Sequence, residues 1–571
     1  MQRNVRQNQR IWIAVIALTL LAVLRVAASY KNTAQGFDEP CHVAAAIELL
    51  AKGTYALDPV HPPLSRIGIG LPLYLAGERY PQLSPFDPES QNYNVVGNAI
   101  LYGDGHYLRN LILARCGVLP FFVLGIAIVF LWARREFGDL AALMAVALFT
   151  SLPSVLAFAG IAYSDMAAAS TQAVFLFAFT TWLDTPTKKA TLWLGVTAGL
   201  ASLAKLTSFL FLPSAALAIV LLRWVSTRNQ APVQQANKTN RTPKLVAAGV
   251  LAITLIWAGY GFSVGHVQED MQLSPSAMPS FQHFPAPVGV IARKLITRDA
   301  LVPVPAFLRG VADAWALNKS QHQSYILGKI KEGGWWYFFL VGVAVKTPLP
   351  FIALSFFGLV GIVTSPPGHK WKPLAPVFAI AAILIVTMPL KYDAGTRHVL
   401  VLFPLLAVVA GAGCSYLWNV HGRWSAGCRT VLAVLLLWQC FVTIQAGDDF
   451  LAYFNEIAGP DPSKVLITGC DLDCGQDFFR LSSELGKRHI SDIKIAMWSS
   501  ADLPQMGLPQ FEVLQPFQPV NGWVAISVRS LRLGDVFHHS YPPEAFAWLN
   551  AYQPVEQIGH TIRLYYIPKS N

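Results

Sequence analysis

Residues 11–40 read IWIAVIALTLLAVLRVAASYKNTAQGFDEP, and the rest of the chain is best understood from this stretch. Its first part, Ile11 to Ala28, is apolar apart from one threonine and Arg25. At a rise of ~1.5 Å per residue, a helix of that length nearly crosses ~30 Å of hydrocarbon. Arg3, Arg6 and Arg10 precede it. Such a pattern also fits a secretory signal peptide, but the run is long and its cleavage site weak, so it reads as an uncleaved first span. The second part turns polar and ends in the acidic pair Asp38-Glu39 before Pro40.

The same alternation continues down the chain. Of 571 residues, 54% are hydrophobic and 13% charged, against about 25% charged in soluble domains. Further apolar runs fall at about 110–132, 140–159, 166–183, 190–204, 208–224, 245–264, 335–362, 374–390, 399–419 and 430–446. With the first, these predict an all-α polytopic membrane protein of about eleven transmembrane helices. The formal net charge is +11, yet no basic stripe interleaved with aromatics occurs, so nucleic acid is not an expected partner. The positive charge fits orientation and contact with membrane lipid instead.

Basic residues cluster in alternate connections: Arg134 and Arg135; Lys188 and Lys189; Arg223, Arg228, Lys238, Arg241 and Lys244; Lys370 and Lys372; Arg423 and Arg429. The opposite short connections hold little beyond Lys205, Lys391 and Arg397. Cytoplasmic loops carry the Lys/Arg excess, so the N-terminus is expected inside and the C-terminus outside. Residues 1–446 then form a transmembrane domain with outside loops 29–109 and 265–334. Residues 447–571 form a small mixed α/β domain outside the cytoplasm. Its strand-like runs are Val465–Thr468 and Trp523–Val528, and Asp477–Lys487 looks helical. In the first loop, Cys41–Lys52 looks helical, and Leu64–Ala76 is apolar but short and suits the interface. The run 226–243 reads as a polar cytoplasmic loop. Cys470 and Cys474 are spaced for a disulfide, or for half a zinc site with no second half.

Several polar residues stand where they are costly. Pro40 suits the first helical position, with Glu39 as N-cap, and a helix N-terminus favours ionised carboxylates. Asp38 and Glu39 are therefore either an acidic cap or a site carboxylate, acting as a general base or a metal ligand. His61-Pro62-Pro63-Leu64 is a rigid turn in the same loop. Lys205, between two apolar runs, must reach water, a carboxylate or a phosphate, or snorkel to the head groups. Lys391 to His398 is a polar knot in which Arg397 either forks onto phosphate oxygens or pairs with Asp393. Lys346 lies inside an apolar run broken by Pro348, where a charge is usually functional. Nucleotide-binding and common hydrolase motifs are missing.

In their order, Asp38-Glu39, His61-Pro62-Pro63-Leu64, Lys205 and Arg397-His398 resemble the C-type glycosyltransferases. The likeness is to the family of the protein O-mannosyltransferases and the aminoarabinose transferases of lipid A, and it covers roughly residues 10–480. Gly333–Pro350, Tyr453–Gly459 and Asp471–Asp477 look like a bacterial branch, although Cys474 stands where that branch has tryptophan. The resemblance implies transfer of a sugar from a polyprenyl-phosphate donor to a hydroxyl on a protein, lipid or glycan, with inversion by direct displacement. Asp38 would be the base and Glu39 its support. Lys205, Arg397 and Lys346 would hold the donor phosphate, and His61 and His398 would position the acceptor or the loops. Lys and Arg can manage a monophosphate leaving group, so no cofactor or metal site is assigned, a divalent cation beside Glu39 being the open option. The alternatives are a transporter or flippase of lipid-linked sugars, and a scaffold whose C-terminal domain binds a partner.

Overall fold

The computed structural model describes residues 2–82, 92–228, 241–266, 290, 300–320, 322–365, 371–537 and 539–569. Most of the expected polar loop 226–243 and much of the segment 265–334 lie outside the described residues.

Every apolar run is helical over most of its length. The first helix, Gln2–Ser29, buries Val15, Ala22 and Val26 and leaves Ile13, Ile16, Leu20 and Leu24 exposed. That outer stripe is apolar because lipid is its solvent. Among the described residues, six helices are long and apolar enough to cross a membrane, or up to seven if one bent pair counts as a span. The smaller number than eleven has local causes. The stretch Tyr107–Phe149 runs 43 residues, or about 65 Å, twice the hydrocarbon thickness. It is broken at Gly138, whose φ of 84° leaves the helical region beside Arg134, Arg135 and Asp139. It thus supplies two of the expected runs. Phe338–Lys346 and Leu349–Thr364 meet at 108° around Thr347-Pro348. Lys188–Ala204, Trp371–Thr387 and Leu402–Trp418 are apolar helices of 17 residues each. The run 245–264 stops early, since its helix is Arg241–Gly259 and a short strand starts at Val264.

The basic connections gather at one end of the bundle. Arg134 donates to Asn8 Oδ1 at 2.8 Å, and Lys372 pairs with Asp184 at 2.7 Å. Arg135 donates to Thr180, and Lys244 to the Pro186 carbonyl. The opposite end carries the helices Glu39–Lys52 and Pro63–Leu75 and the C-terminal segment. There a five-stranded mixed sheet runs in the order 556–558, 562–567, 522–527, 492–496, 510–513. Its first two pairings are antiparallel and its last two parallel. The central strand is buried on both faces, through Val524, Ala525, Ile526 and Ser527, and its neighbour buries Ile493 and Ile495. The helix Phe478–Lys487 and the strand Gly522–Ser527 match expectation. Val465–Thr468 does not form a strand: Leu466 makes a single bridge to Ile326, and the chain then tightens into a turn of 3₁₀ helix at Thr468–Cys470. Cys470 and Cys474 are joined by a disulfide.

Candidate functional site

The helix Glu39–Lys52 starts as the sequence suggests, but one residue earlier. Asp38 is its N-cap, and its side chain makes no capping bond. The carboxylate is one-third exposed and forms an ion pair with Arg397, Nη2 to Oδ2 at 2.7 Å. The two residues are far apart in sequence and meet because the 3₁₀ turn Thr396–Val399 precedes the buried helix Leu402–Trp418. Arg397 also lies over the Tyr163 ring, 4.8 Å from its centre. Burial works against the guanidinium's charge, but Asp38 and Asp165 more than offset it and hold its pKa above the usual value. Asp393, the alternative partner, instead accepts hydrogen bonds from Ser324 and from the Trp335 N–H.

Lys205 is buried at the C-cap of helix Lys188–Ala204 and pairs with Asp165, the first residue of helix Asp165–Asp184. It does not snorkel. Burial lowers its pKa, with Asp165 opposing and Arg397 adding to the shift. His398 feels Lys205, Arg397, Asp165 and His61, and burial with the two cations pushes it well below the ordinary histidine value. His61 Nδ1 lies 2.7 Å from Asp58 Oδ2. Asp58 sits below the usual carboxylate range, the effect of burial being outweighed by His61 and Arg66. His42, one turn past Asp38, is pushed down to about 3 by burial and the nearby His61.

Glu39 and Lys346 are both buried away from the open side of the cleft. Glu39 is fully buried, and both its oxygens are spoken for. Arg115 grips it through Nε at 2.9 Å and Nη2 at 2.8 Å, and the N–H groups of Gly36 and Ala162 donate to it at 2.7 and 2.8 Å. It is a structural anchor for the loop carrying Asp38, with no oxygen free to meet an acceptor or a cation. Lys346 is buried too, donating to the carbonyls of Leu451 at 2.7 Å and Asp471 at 2.6 Å. It ties the bent helix pair to the C-terminal segment and makes no contact with the Asp38 group.

The C-terminal segment closes the site from the other side. The Ala34 N–H donates to the Gln476 carbonyl at 3.0 Å, and Phe37 stacks on Trp498 at 4.0 Å. Asp471 accepts from the Thr396 N–H and hydroxyl, which fixes the turn before Arg397. The Tyr163 hydroxyl accepts from the Asp38 N–H at 2.9 Å and lies 3.3 Å from Cys474 Sγ and 3.5 Å from Cys470 Sγ. Sequence reasoning missed Tyr163, Asp165 and Arg115, and singled out Asp471 only within the stretch Asp471–Asp477. Asp165 carried a signal, being a lone acid between two apolar runs, the same argument that singled out Lys205. Arg115 carried one too, as a charge inside the apolar run 110–132; Tyr163 carried none.

The arrangement is a pair of cations set between two aspartates at one end of the bundle, with one carboxylate open to solvent. Such a cleft suits an anionic group beside a base. No family model matches the chain, and no curated protein matches it by sequence. Its structure is similar to that of ArnT from Cupriavidus metallidurans bound to undecaprenyl phosphate, with a TM-score of 0.50 at 12% identity over 96% of this chain and 97% of that one. The apo state of the same protein gives 0.48 at 12% identity, with the same coverage. The archaeal oligosaccharyltransferase AglB from Archaeoglobus fulgidus, in complex with an inhibitory peptide and a dolichol-phosphate, gives 0.45 at 14% identity over 90% of this chain and 69% of that one. From the end-to-end match to the first of these and its own apolar helices, the chain is an integral membrane protein with the fold of the C-type glycosyltransferases.

Proposed function

We propose that the protein transfers a sugar from a polyprenyl-phosphate carrier to a hydroxyl acceptor at the outer face of the membrane. One observation supports this most: the Asp38–Arg397 pair stands beside Lys205–Asp165 at the end of a bundle whose fold is that of a protein seen with undecaprenyl phosphate bound. The donor's tail lies in lipid, and its phosphate reaches Arg397 and Lys205. Arg397 uses Nη2 on Asp38 and Nε on the Ala394 carbonyl, which leaves N–H groups to fork onto phosphate oxygens. Arg397 holds one oxygen of Asp38, and the carboxylate is one-third exposed. Asp38 takes the proton of the acceptor hydroxyl while that oxygen attacks the anomeric carbon from the face opposite the phosphate. The C–O bond to the phosphate breaks, the anomeric configuration inverts, and polyprenyl phosphate leaves with its charge balanced by the two cations. General-base catalysis of this kind contributes typically ~10²–10⁴-fold.

The test is to identify by mass spectrometry the lipid that co-purifies with the protein, then supply it in detergent with envelope extract as acceptor. Release of polyprenyl monophosphate matched by acceptor glycosylation is the expected result. A protein that carries no polyprenyl lipid and releases no polyprenyl phosphate from any lipid-linked sugar contradicts the reading.

A further inference from the structure

Three side chains next to the Asp38–Arg397 pair have no part in that reaction. His42 is on the helix of Asp38, and its N–H donates to the Asp38 carbonyl at 3.1 Å. Asp58 and His61 come from the turn before helix Pro63–Leu75 and share the 2.7 Å Nδ1–Oδ2 contact. The His42 and His61 rings meet edge-on with centres 4.5 Å apart. One donor atom from each of the three residues lies within 4.8 Å of the other two. His42 and Asp58 are each 5% exposed, while the His61 side chain is 22% exposed, so the group is closed behind and open on one side.

Among the described residues the His42 ring meets the rings of His61 and Tyr163, and no hydrogen bond to either of its ring nitrogens is seen. The imidazole of a residue only 5% exposed is thus held beside a second imidazole and a carboxylate, with no hydrogen bond competing for its nitrogens. We propose that His42, Asp58 and His61 form a binding site for a first-row divalent cation, best matched by zinc. Two nitrogens and one carboxylate oxygen suit zinc, with a fourth position left for water. Magnesium prefers oxygen ligands alone and keeps its waters. Donors bound to zinc at ~2.0–2.2 Å sit about 3–3.5 Å apart, so small side-chain rotations close the set around an ion. The ion replaces the proton shared by His61 and Asp58, and its open position faces the exposed side of His61. It cross-links the helix that begins at Asp38 to the His61-Pro62-Pro63 turn, and so fixes the height of Asp38 in the cleft. This is a different place from Glu39, whose oxygens are already filled.

The experiment reads metal rather than activity, so its failure leaves the transferase reading standing. Purified full-length protein in detergent is stripped with a chelator, desalted and titrated with Zn²⁺. Bound zinc is measured by elemental mass spectrometry, and affinity by competition with a chromophoric chelator. The parent should retain one equivalent and gain melting temperature on adding zinc. His61→Ala, Asp58→Asn and His42→Gln should each weaken binding by at least about tenfold to a hundredfold, the scale seen even for lost supporting groups around metals, and His61→Ala should lose the thermal gain. His61 is the most exposed of the three, so its variant decides if a buried one does not fold. A parent that retains no zinc, or a folded His61→Ala protein that retains as much as the parent, overturns the proposal.

Discussion

Replacing Arg397 by lysine keeps a positive charge near Asp38 but loses the planar fork that serves Asp38 and the Ala394 carbonyl together. A charge-assisted hydrogen bond is worth ~1.5–3 kcal/mol, so Arg397→Lys should weaken binding of a polyprenyl monophosphate by about 10–100-fold, and Arg397→Ala at least as much. Calorimetric titration in detergent checks this, and unchanged affinity in both variants would reduce Arg397 to a loop cap. Glu39 leads to the opposite expectation. Removing one partner of a buried ion pair costs about 3–5 kcal/mol, because the other charge is left unpaired. Glu39→Ala and Arg115→Ala should therefore both lose most of their yield of folded protein and melt well below the parent. A Glu39→Ala protein of parental stability would contradict the anchoring role. Position in the sequence did not distinguish the two acids. Asp38 and Glu39 are adjacent, and only Arg115, which reaches Glu39 from another helix, sends one inward and leaves the other open.

Among the elements, the bent pair Phe338–Lys346 and Leu349–Thr364 is the most demanding, since a break at Pro348 frees backbone carbonyls inside the bundle. Asn455 satisfies them. Its Nδ2 donates to the carbonyls of Ala344 at 2.6 Å and Thr347 at 2.7 Å, and its N–H to Val345 at 2.8 Å. Asn455→Leu should cost about 1–3 kcal/mol, the penalty for buried carbonyls left unpaired, and should lower the melting temperature of the purified protein; no change would mean the carbonyls find other donors. This pairing gives Asn455 a structural role that its residue type and position do not reveal alone. The helices themselves were legible because each apolar run is long. Their bends were less so. Gly138 is one glycine among forty-one, and only its left-handed φ between Arg135 and Asp139 separates one long helix into two. Lys205 was legible as a charge with no local partner, while Asp165, which answers it, lies 40 positions earlier. Val465–Thr468 misled because its β-branched residues pack between the Gln323–Ile326 hairpin and the Asp471 turn without pairing as a ladder.

At the scale of the molecule, the basic connections meet at one end and the Asp38 cleft lies at the other with the C-terminal sheet. The charge asymmetry predicts that a reporter active only outside the cytoplasm is active when fused after Asn571 and silent when fused near Gln234. The reverse pattern would place the cleft in the cytoplasm and remove a lumenal or periplasmic acceptor from consideration. The C-terminal segment does more than cover this end. Phe37 stacked on Trp498, Ala34 bonded to Gln476 and Thr396 bonded to Asp471 hold both loops of the cleft against it. The central claim is that the one open carboxylate held there is the base of a sugar transfer. Asp38→Asn keeps the size of the side chain and its contact with Arg397 but cannot take a proton. Measured as single-turnover transfer from the identified polyprenyl-phosphate sugar, Asp38→Asn should fall about 10²–10⁴-fold with melting temperature and donor affinity within reach of the parent's. A folded Asp38→Asn protein that binds donor and transfers sugar at the parental rate would contradict the account.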